Sequence, residues 1–489
     1  LMRIIGNNPA ADNAEITAIA SGTLPNGKAV IVNTDGTVSV VAGTTVSQSQ
    51  GSVVSFSTNS IDRLAAAYDA NAGKVVVIYR DVNNSGYGKS IIGTVSGTSI
   101  SFGTAQTYQT SSGQQAQALT FDSANNKVVM YYADQTASGI VSARVGTVSG
   151  TSLSFGTKVA LPGNPTAAGG NVISCIFDAN AGKSVVFFIN SANSNYGTAC
   201  VGTVSGTSIS FGSLSVFESA NTNYPHSTFD STNNKSIVVY RDLGNSSYGT
   251  AAVGTISGTS ISFGTPVVYY SNTQTEHLTA TFDTAAGKSV VVYRDEGNSE
   301  YLTARVGTTS GTSISFGTAV VVSSASPSTL SSTFDASMGK VVLGVQTGDD
   351  GDYFIGKVSG TSISFETPVE FTDQAPSPLV LVYSSGDEKI ISLFKNNYNN
   401  DAYSRVLATG GVTTNLTSEN FIGFSSNGYA SGQAATINTK GFCGEVGQSS
   451  LTAGQSYFVQ TNGDLGLTAA DPSVFAGTAV SAIKLIVKG

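Results

Sequence analysis

The sequence predicts an all-β protein whose main body is a seven-bladed β-propeller of four-stranded antiparallel blades, with a small β module formed by both termini. Three observations predict this fold. A unit of about 50 residues recurs along the chain, each unit reads as four short strands, and an early segment supplies the strand that the last unit lacks. The composition agrees, because Gly (55 of 489 residues), Ser and Thr separate short runs rich in Val, Ile, Phe and Tyr.

One landmark of the repeat is the stretch GTVSGTSISFGT, which begins at Gly93. Related stretches begin at Gly146, Gly202, Gly254, Gly307 and, more loosely, Gly356. A Gly-containing two-residue loop between alternating segments is a hairpin signal. Each copy therefore predicts the third strand of a blade, a tight Ser-Gly-Thr-Ser turn and the fourth strand.

A second landmark is an aromatic residue followed six positions later by Lys. Its seven copies are Tyr68/Lys74, Phe121/Lys127, Phe177/Lys183, Phe229/Lys235, Phe282/Lys288, Phe334/Lys340 and Tyr383/Lys389. The Lys precedes the Phe of the next SISF by 28 positions in five copies and by 25 in the sixth, which indicates one structural unit. An Asp follows the aromatic in six copies, where its side chain is expected to accept backbone amide hydrogen bonds and open a turn. These residues are Asp69, Asp122, Asp178, Asp230, Asp283 and Asp335.

Closure of the ring is predicted from the seventh unit, which has Tyr383 and Lys389 but no SISF segment. Gly51–Thr58 aligns with Gly97–Thr104 of the first unit. We expect this early segment to pair beside Val406, because borrowing it removes the exposed strand edges of an open array.

The predicted domains are an N-terminal β segment of residues 1–43, the propeller of residues 44–411 and a C-terminal β module of residues 412–489. Gly27–Gly36 matches Gly454–Gly463, and both predict a strand running into an Asp-Gly or Asn-Gly hairpin turn. Both chain ends are expected to leave the propeller from one face. The opposite face carries the variable loops, where recognition usually occurs.

Charge and composition exclude several classes of partner. The formal net charge is −8 and the chain has no basic stripe, so no nucleic acid partner is expected. The longest apolar runs are strand-sized, which predicts no membrane span. Cys175, Cys200 and Cys443 form no disulfide framework, and the first two are expected to be buried thiols. The opening Leu1–Gly6 does not have the pattern of a secretory signal.

The candidate ligand site lies in the loops between the second and third strands of three units. It comprises Tyr79, Arg80, Asp81 and Tyr87; Tyr240, Arg241, Asp242 and Tyr248; and Tyr293, Arg294, Asp295 and Tyr301. Aromatic rings stack on the C–H faces of sugars and an Arg–Asp pair fixes hydroxyl groups, so this pattern is typical of a glycan site. The alternative is an Arg–Asp staple between blades with Tyr packed in the core. The pattern is missing in the third unit (Ile189-Asn190) and the sixth (Gln346-Thr347).

No catalytic residue, metal or cofactor is predicted, and the chain is not expected to be an enzyme. It contains no Trp, so the SxDxGxTW boxes of sialidases are absent. Asp81–Gly86 lacks the distal Glu of a calcium loop, and Asp349, Asp350 and Asp352 are interpreted as a solvated turn. His226 and His277, the chain's two His residues, give no zinc pattern.

The tandem FDxxxNK, YRDxGNSxYGT and VGTVSGTSISFGT motifs resemble those of virion-associated proteins of marine bacteriophages. The chain from Gly447 onward, apart from its Gln-Ser-Ser insertion, resembles a terminal module of phage fibre and appendage proteins. The resemblance implies a virion location, a tail fibre or appendage subunit, other virion proteins as partners of the terminal module and a host-surface glycan as ligand. A head-surface fibre or decoration protein, a secreted lectin or adhesin, and a glycan-cleaving enzyme are the alternatives. Self-association is compatible with this role, although no heptad stalk indicates it.

Overall fold

The computed structural model of the chain describes residues 14–110, 114–167, 173–470 and 472–488. The opening Leu1–Gly6 therefore lies outside the described residues. Contacts between Cα atoms divide the chain into two units, one of residues 48–409 and one of residues 1–47 together with 410–489. The described residues contain one short 3-10 helix, Gln135–Ala137, and no α-helix; all other regular elements are strands.

The described strands of residues 48–409 fall into seven groups that follow the order expected from the repeat. Strand A ends at the aromatic–Asp pair, strand B begins at the Lys, strand C follows the B–C loop, and strand D follows the Ser-Gly-Thr-Ser turn. The pairs A–B, B–C and C–D are antiparallel. A further short strand, strand E, precedes the next group.

The bounds of the strands are as follows. Group 1 consists of Ile61–Asp69, Lys74–Asp81, Tyr87–Ser96, Ser99–Phe102 and Gln106–Gln109. Group 2 consists of Gln114–Asp122, Lys127–Asp134, Ile140–Ser149, Ser152–Phe155 and Val159–Ala160. Group 3 consists of Ile173–Asp178, Lys183–Asn190, Tyr196–Ser205, Ser208–Phe211 and the first part of Ser215–Asp230. Group 4 consists of the second part of Ser215–Asp230, Lys235–Asp242, Tyr248–Ser257, Ser260–Phe263 and Val267–Tyr270. Group 5 consists of Thr275–Asp283, Lys288–Asp295, Tyr301–Ser310, Ser313–Phe316 and Val320–Ser323. Group 6 consists of Pro327–Asp335, Lys340–Thr347, Asp350–Ser359, Ser362–Phe365 and Val369–Thr372. Group 7 consists of Pro376–Ser384, Lys389–Asn396, Ala402–Ala408, Ser49–Gln50 and Val54–Ser57.

The expected fourth strand is two strands, because the chain leaves strand C at the Phe-Gly-Thr segment and returns to it. In group 1, Ser99–Phe102 pairs with the end of strand C and Gln106–Gln109 pairs with its beginning. Groups 3 and 4 differ from the others, because Ser215–Asp230 is one continuous strand that joins them into a nine-stranded sheet.

In six of the seven groups a Gly follows strand D at a close approach to the next group, and Glu366 takes this place in group 6. A Cβ atom on Gly103 would lie 2.9 Å from the carbonyl oxygen of Thr151, in the Ser-Gly-Thr-Ser turn of group 2. A Cβ atom on Gly51 would lie 1.7 Å from the carbonyl oxygen of Thr98 in group 1. A side chain at either position would force the two groups apart, since packed interiors leave no room for such overlap.

The early segment pairs with the last strand C as expected, but the predicted alignment of Gly51 with Gly97 is wrong. Gln50 pairs with Leu407, and the amide of Gly51 donates to the carbonyl of Val406, as the amide of Gly103 does to Ile92. Gly51 is therefore the counterpart of Gly103. Strands D and E both alternate apolar and polar residues and both follow a Gly, so the pattern alone did not distinguish them.

The hydrophobic core lies between consecutive groups. Val75, Val76, Val77 and Ile78 of strand B are completely buried, and the other B strands are similarly enclosed. Seven buried clusters of the described residues each combine side chains from two consecutive groups, and one of them joins groups 7 and 1. Each strand A lies beside the strand A of the next group, and Pro376–Ser384 lies beside Ile61–Asp69.

The expected Asp turns are confirmed in all six groups that carry the Asp. Each of these carboxylates accepts a backbone amide from two or three residues further along the chain. In group 2, Asp122 Oδ1 accepts from Ala124 and Asn125 at 3.0 and 2.9 Å. The recurring carboxylate thus closes the A–B turn.

The second unit is built from strands of both terminal segments. Its described strands are Glu15–Ile19, Ala29–Val32, Val38–Val40, Gly43–Val46, Gly411–Thr414, Phe421–Ser425, Ala434–Asn438, Cys443–Glu445, Ser456–Val459, Leu465–Gly466, Val474–Ala479 and Lys484–Val487. Glu15–Ile19 pairs with Ala434–Asn438, and Ala29–Val32 pairs with Phe421–Ser425.

Both predicted hairpins of the second unit are present. Gly36 and Gly463 occupy the turns with φ of +82° and +83°, a region that glycine adopts at little cost. A shared core that includes Ile31, Phe424 and Val459 packs the two five-stranded sheets together.

Candidate functional site

Each predicted B–C loop site begins with a Tyr-Arg-Asp triplet, and the Tyr of each triplet is a core residue. The rings of Tyr79, Tyr240 and Tyr293 are at most 2% exposed, and burial is the main cause that raises the pKa of each phenol. A ring enclosed on both faces cannot stack on a sugar. The interpretation of these three tyrosines as a binding platform is therefore wrong, and their packing agrees with the alternative of a structural role.

The arginines of the triplets are held by carboxylates of strand A. Arg80 makes a two-point contact with Asp62, with Nε to Oδ1 at 2.7 Å. Arg241 of group 4 reaches Glu276 of group 5 at 3.0 Å, and Arg294 reaches the other oxygen of Glu276 at 2.6 Å. A staple between consecutive groups is thus present for Arg241, whereas Arg80 and Arg294 pair within their own groups. In each case the acid is a strand A carboxylate rather than the Asp that follows the Arg.

The aspartates of the triplets close the B–C loops. Asp81 accepts the amide of Asn84, and Asp242 accepts the amides of Gly244 and Asn245. Asp295 does the same for Gly297 at 3.1 Å. All three carboxylates are less than 9% exposed and are occupied by the loop backbone.

The second aromatic of each site remains accessible. Tyr87, Tyr248 and Tyr301 each begin a strand C and are half-buried. They lie at the end of the groups where the B–C loops and the connections to strand A are found. Of the twelve predicted residues, these three and the arginines Arg80, Arg241 and Arg294 are partly accessible, and the arginines are already paired with carboxylates.

A polar cavity that the sequence did not indicate lies at this same end of the strands. Its volume is about 600 Å³, and the start of strand A in every group contributes to its wall. The lining segments are residues 62–66, 117–119, 173–175, 224–227, 277–278, 328–332 and 377–381. We call this space the strand A cavity.

Three lining residues adopt a backbone conformation that is unfavourable for residues with a side chain. Arg63, Tyr224 and His277 have φ of 51°, 52° and 43°, and each lies where the pairing of strands A and B shifts register. A left-handed residue other than Gly costs about 1 kcal/mol or more. All three occupy the position six residues before the Asp, where no common residue type marks the bulge in the sequence.

Hydroxyl groups and one imidazole form a hydrogen-bonded layer in the cavity wall. His226 Nδ1 accepts the amide of Ala280 at 3.2 Å, so the proton of the neutral ring is on Nε2, which faces Thr279 Oγ1 at 3.4 Å. Thr279 Oγ1 in turn lies 2.8 Å from Ser332 Oγ. Burial lowers the pKa of His226 to about 4, which keeps the ring neutral at pH 7.

The thiols are free, as expected, but only one of the two expected to be buried is fully enclosed. Cys200 is completely buried, which raises its pKa to about 12. Cys175 is partly accessible because it lines the strand A cavity, and its desolvation also raises its pKa. Cys443 is exposed.

The described residues offer no group of three or more His, Cys, Asp and Glu that could hold a metal ion. The acidic segment of group 6 lies on the B–C loop and the start of strand C, where burial and the charges of Asp350 and Glu370 raise the pKa of Asp352. No helix within the described parts of the chain is long and apolar enough to cross a membrane.

No known protein family matches this chain, and no curated protein matches it. Several solved structures resemble it at low identity. The β-propeller domain of Cps50 (Swd1) from Myceliophteria thermophila has a TM-score of 0.44 and 6% identity, covering 74% of this chain and 98% of that one. The Aleuria aurantia lectin AAL, in complex with Fucalpha1-6GlcNAc, has a TM-score of 0.39 and 14% identity, covering 63% and 95%. The NanB sialidase from Streptococcus pneumoniae has a TM-score of 0.40 and 11% identity, covering 73% and 68%. These likenesses are too distant to transfer a ligand or an activity.

Proposed function

We propose that residues 48–409 form a seven-bladed β-propeller in which each strand group is a blade and the early segment closes the ring. Three contacts support closure. Val54–Ser57 pairs with the last strand C, Gly51 approaches Thr98 as Gly103 approaches Thr151, and a buried cluster joins groups 7 and 1. A closed ring leaves no group with an unpartnered face, which is how propellers bury their sheets.

We propose further that this propeller binds host-surface glycans at the end bearing the strand A cavity. The observation that carries the proposal is the cavity itself. Its volume is about 600 Å³, and the seven A strands that line it contribute hydroxyl, imidazole, amide and guanidinium groups. Sugars present hydroxyls that exchange hydrogen bonds with such groups, and their C–H faces pack on aromatic rings such as that of Tyr224. Concave sites with a few convergent polar groups are the usual form of small-ligand sites.

The role we propose is binding without catalysis. The recurring aspartates are engaged by turn amides, and the carboxylates near the cavity that could act in glycoside hydrolysis, Asp62 and Glu276, are engaged by arginines. Incubation of the protein with glycan substrates followed by a reducing-end assay tests this role. Released oligosaccharide would contradict it.

A place on a phage virion is the finer part of the proposal. It is supported by the resemblance of the repeats and of the C-terminal segment to phage fibre and appendage proteins. In this role, the unit of the two terminal segments would attach the protein to other virion proteins. Genes for a portal, tail tube or capsid beside the coding sequence would favour the virion over a secreted lectin.

A glycan array probed with the wild type and two variants tests the binding site. Tyr224→Ala removes an aromatic of the cavity wall, whereas Tyr301→Ala removes a half-buried aromatic of the B–C loops. We expect Tyr224→Ala to lose roughly fivefold to thirtyfold in affinity, which corresponds to about 1–2 kcal/mol for a stacking contact. Binding that is lost with Tyr301→Ala alone would move the site to the B–C loops, and an array without any bound glycan would contradict the proposal.

A further inference from the structure

Arg63 differs from the other arginines in the part of the chain that the structure describes. Arg80, Arg241 and Arg294 pair with carboxylates. The remaining three lie against neutral groups: the carbonyl of Tyr108 accepts from Arg144, the carbonyl of Phe371 accepts from Arg405, and the phenol of Tyr293 lies close enough to Arg305 for an electrostatic interaction between them. The guanidinium of Arg63 has no hydrogen-bond or ion-pair partner among the described residues, and its Nε is buried.

The strand A cavity therefore has a net positive charge in its wall. The charged or titratable side chains that line it, besides the thiol of Cys175 and the phenol of Tyr224, are Asp62, Arg63, His226 and His277. Asp62 is neutralised by its two-point contact with Arg80. Burial is the main cause that lowers the pKa of both imidazoles, which keeps them neutral at pH 7. The charge of Arg63 is thus left without a counter-charge.

A partly desolvated guanidinium without a partner is energetically costly unless an anion pairs with it. The backbone adds to this cost, because Arg63 has a φ of 51°. The chain as a whole carries a net charge of −8, so a cationic cavity wall is not a consequence of a basic protein. These observations indicate an anionic group as the part of the ligand that enters the cavity.

We propose that the strand A cavity recognises a sugar bearing a carboxylate, and that Arg63 is the residue that determines this specificity. The inference rests on the proposed glycan-binding function and names its ligand class. The planar guanidinium donates two parallel N–H bonds to the two carboxylate oxygens, and the ring hydroxyls bind the Ser and Thr side chains of neighbouring strands. Uronic acids and nonulosonic acids both present this group.

The test measures the affinity of the full chain for matched pairs of oligosaccharides. One pair is a short oligogalacturonide and its carboxyl-reduced form, and a second is sialyllactose and lactose. We expect the wild type to prefer the acidic member of at least one pair by roughly tenfold to a hundredfold, the usual range for a charge-assisted contact. Arg63→Gln, which shortens the side chain and removes the charge, is expected to abolish the preference because it lowers the affinity for the acidic member much more than the affinity for the neutral member.

Two control variants complete the test. Lys89→Ala removes an equal charge from a side chain that contacts Thr107 outside the cavity, and it is expected to keep the full preference. Arg63→Lys keeps the charge but loses the two-point geometry, so an intermediate preference is expected. Equal affinity for both members of every pair would overturn the acidic-sugar inference while the glycan-binding function stands. A preference that survives Arg63→Gln would overturn the role of Arg63, and no binding to any member would overturn both proposals.

Discussion

The two ends of strand A differ in what they repeat. At the A–B turn, six of seven groups place an Asp whose carboxylate accepts backbone amides. At the opposite end, the position six residues before this Asp holds Arg63, Tyr224, His277 and Thr329 in four of the groups, and all four line the strand A cavity. The repeated end therefore serves folding, and the varied end has the chemical diversity that ligand recognition needs.

The same contrast separates the two tyrosines of each predicted B–C loop site. Tyr293 is completely buried between the rings of Tyr269 and Tyr270, with centroids 5.5 and 5.1 Å away. Tyr301, eight positions later, is half-buried at the start of strand C. Residues of one type in one sequence motif thus have different roles, which burial reveals and residue type does not.

The largest effect is expected from this aromatic pair. Tyr293→Ala should lower the free energy of unfolding by about 3–5 kcal/mol, because it removes a fully enclosed ring. Tyr301→Ala should cost less than about 1.5 kcal/mol, since part of this ring is already solvated. Chemical denaturation of both variants measures the difference. Equal costs would contradict the division into a core and an accessible aromatic.

The repeated end is tested by Asp122, which is completely buried. Asp122→Ala should cost about 2 kcal/mol because two backbone amides lose their acceptor. Asp122→Asn keeps an acceptor oxygen and should cost less. Thermal melts of the two variants provide the measurement, and an unchanged melting temperature in Asp122→Ala would show that the repeated Asp does not hold the turn.

The cavity end should make the protein sensitive to acid. The pKa of His226 is about 4 in the folded chain against an ordinary value of 6.5, so between these pH values the unfolded chain binds a proton that the folded chain does not. The contribution of His226 to the free energy of unfolding is therefore fully present above pH 6.5 and is lost as the pH falls towards 4. We expect the free energy of unfolding to fall by about 1.5 kcal/mol. This is less than a fully enclosed imidazole would lose, because part of the His226 ring is accessible from the cavity.

The matched variant for the acid prediction is His226→Gln, which cannot titrate. Its unfolding free energy should fall less between pH 6.5 and pH 4 than that of the wild type. Parallel pH profiles for the two proteins would contradict the assignment of this sensitivity to His226.

The smallest effect on stability is expected at His277. His277→Gly relieves a left-handed conformation but frees the unfolded chain, so the net change should be below about 1 kcal/mol. Glycan affinity should fall nonetheless, because the side chain lines the cavity. A variant with full affinity would remove His277 from the site, and a loss of several kcal/mol would show that the varied end also serves folding.

Much of the fold could be predicted because its signals are local and repeated. The Asp turn, the Lys at the start of strand B and the two hairpins with Gly36 and Gly463 follow from turn chemistry. The register of Gly51 could not be predicted, since strands D and E have the same alternation. What separates them is a backbone contact with Thr98, far away in sequence from the last strand C.

The cavity could not be predicted because its residues share a position and not a residue type. Arg63, Tyr224 and His277 come together only when strands of groups 1, 4 and 5 face the same space. The Tyr-Arg-Asp triplets were predicted to form a ligand site because they recur. Their recurrence in groups 1, 4 and 5 reflects packing rather than ligand binding, because Tyr79, Tyr240 and Tyr293 are core residues.

Hydrogen exchange of the full chain, with and without the glycan that binds it most tightly on the array, tests the central claim most directly. We predict slower exchange of the backbone amides in residues 62–66, 224–227 and 328–332 on binding, with no change at the A–B turns near Asp69, Asp230 and Asp335. Slower exchange confined to those turns, or to the unit built from the two terminal segments, would contradict the assignment of recognition to the strand A cavity.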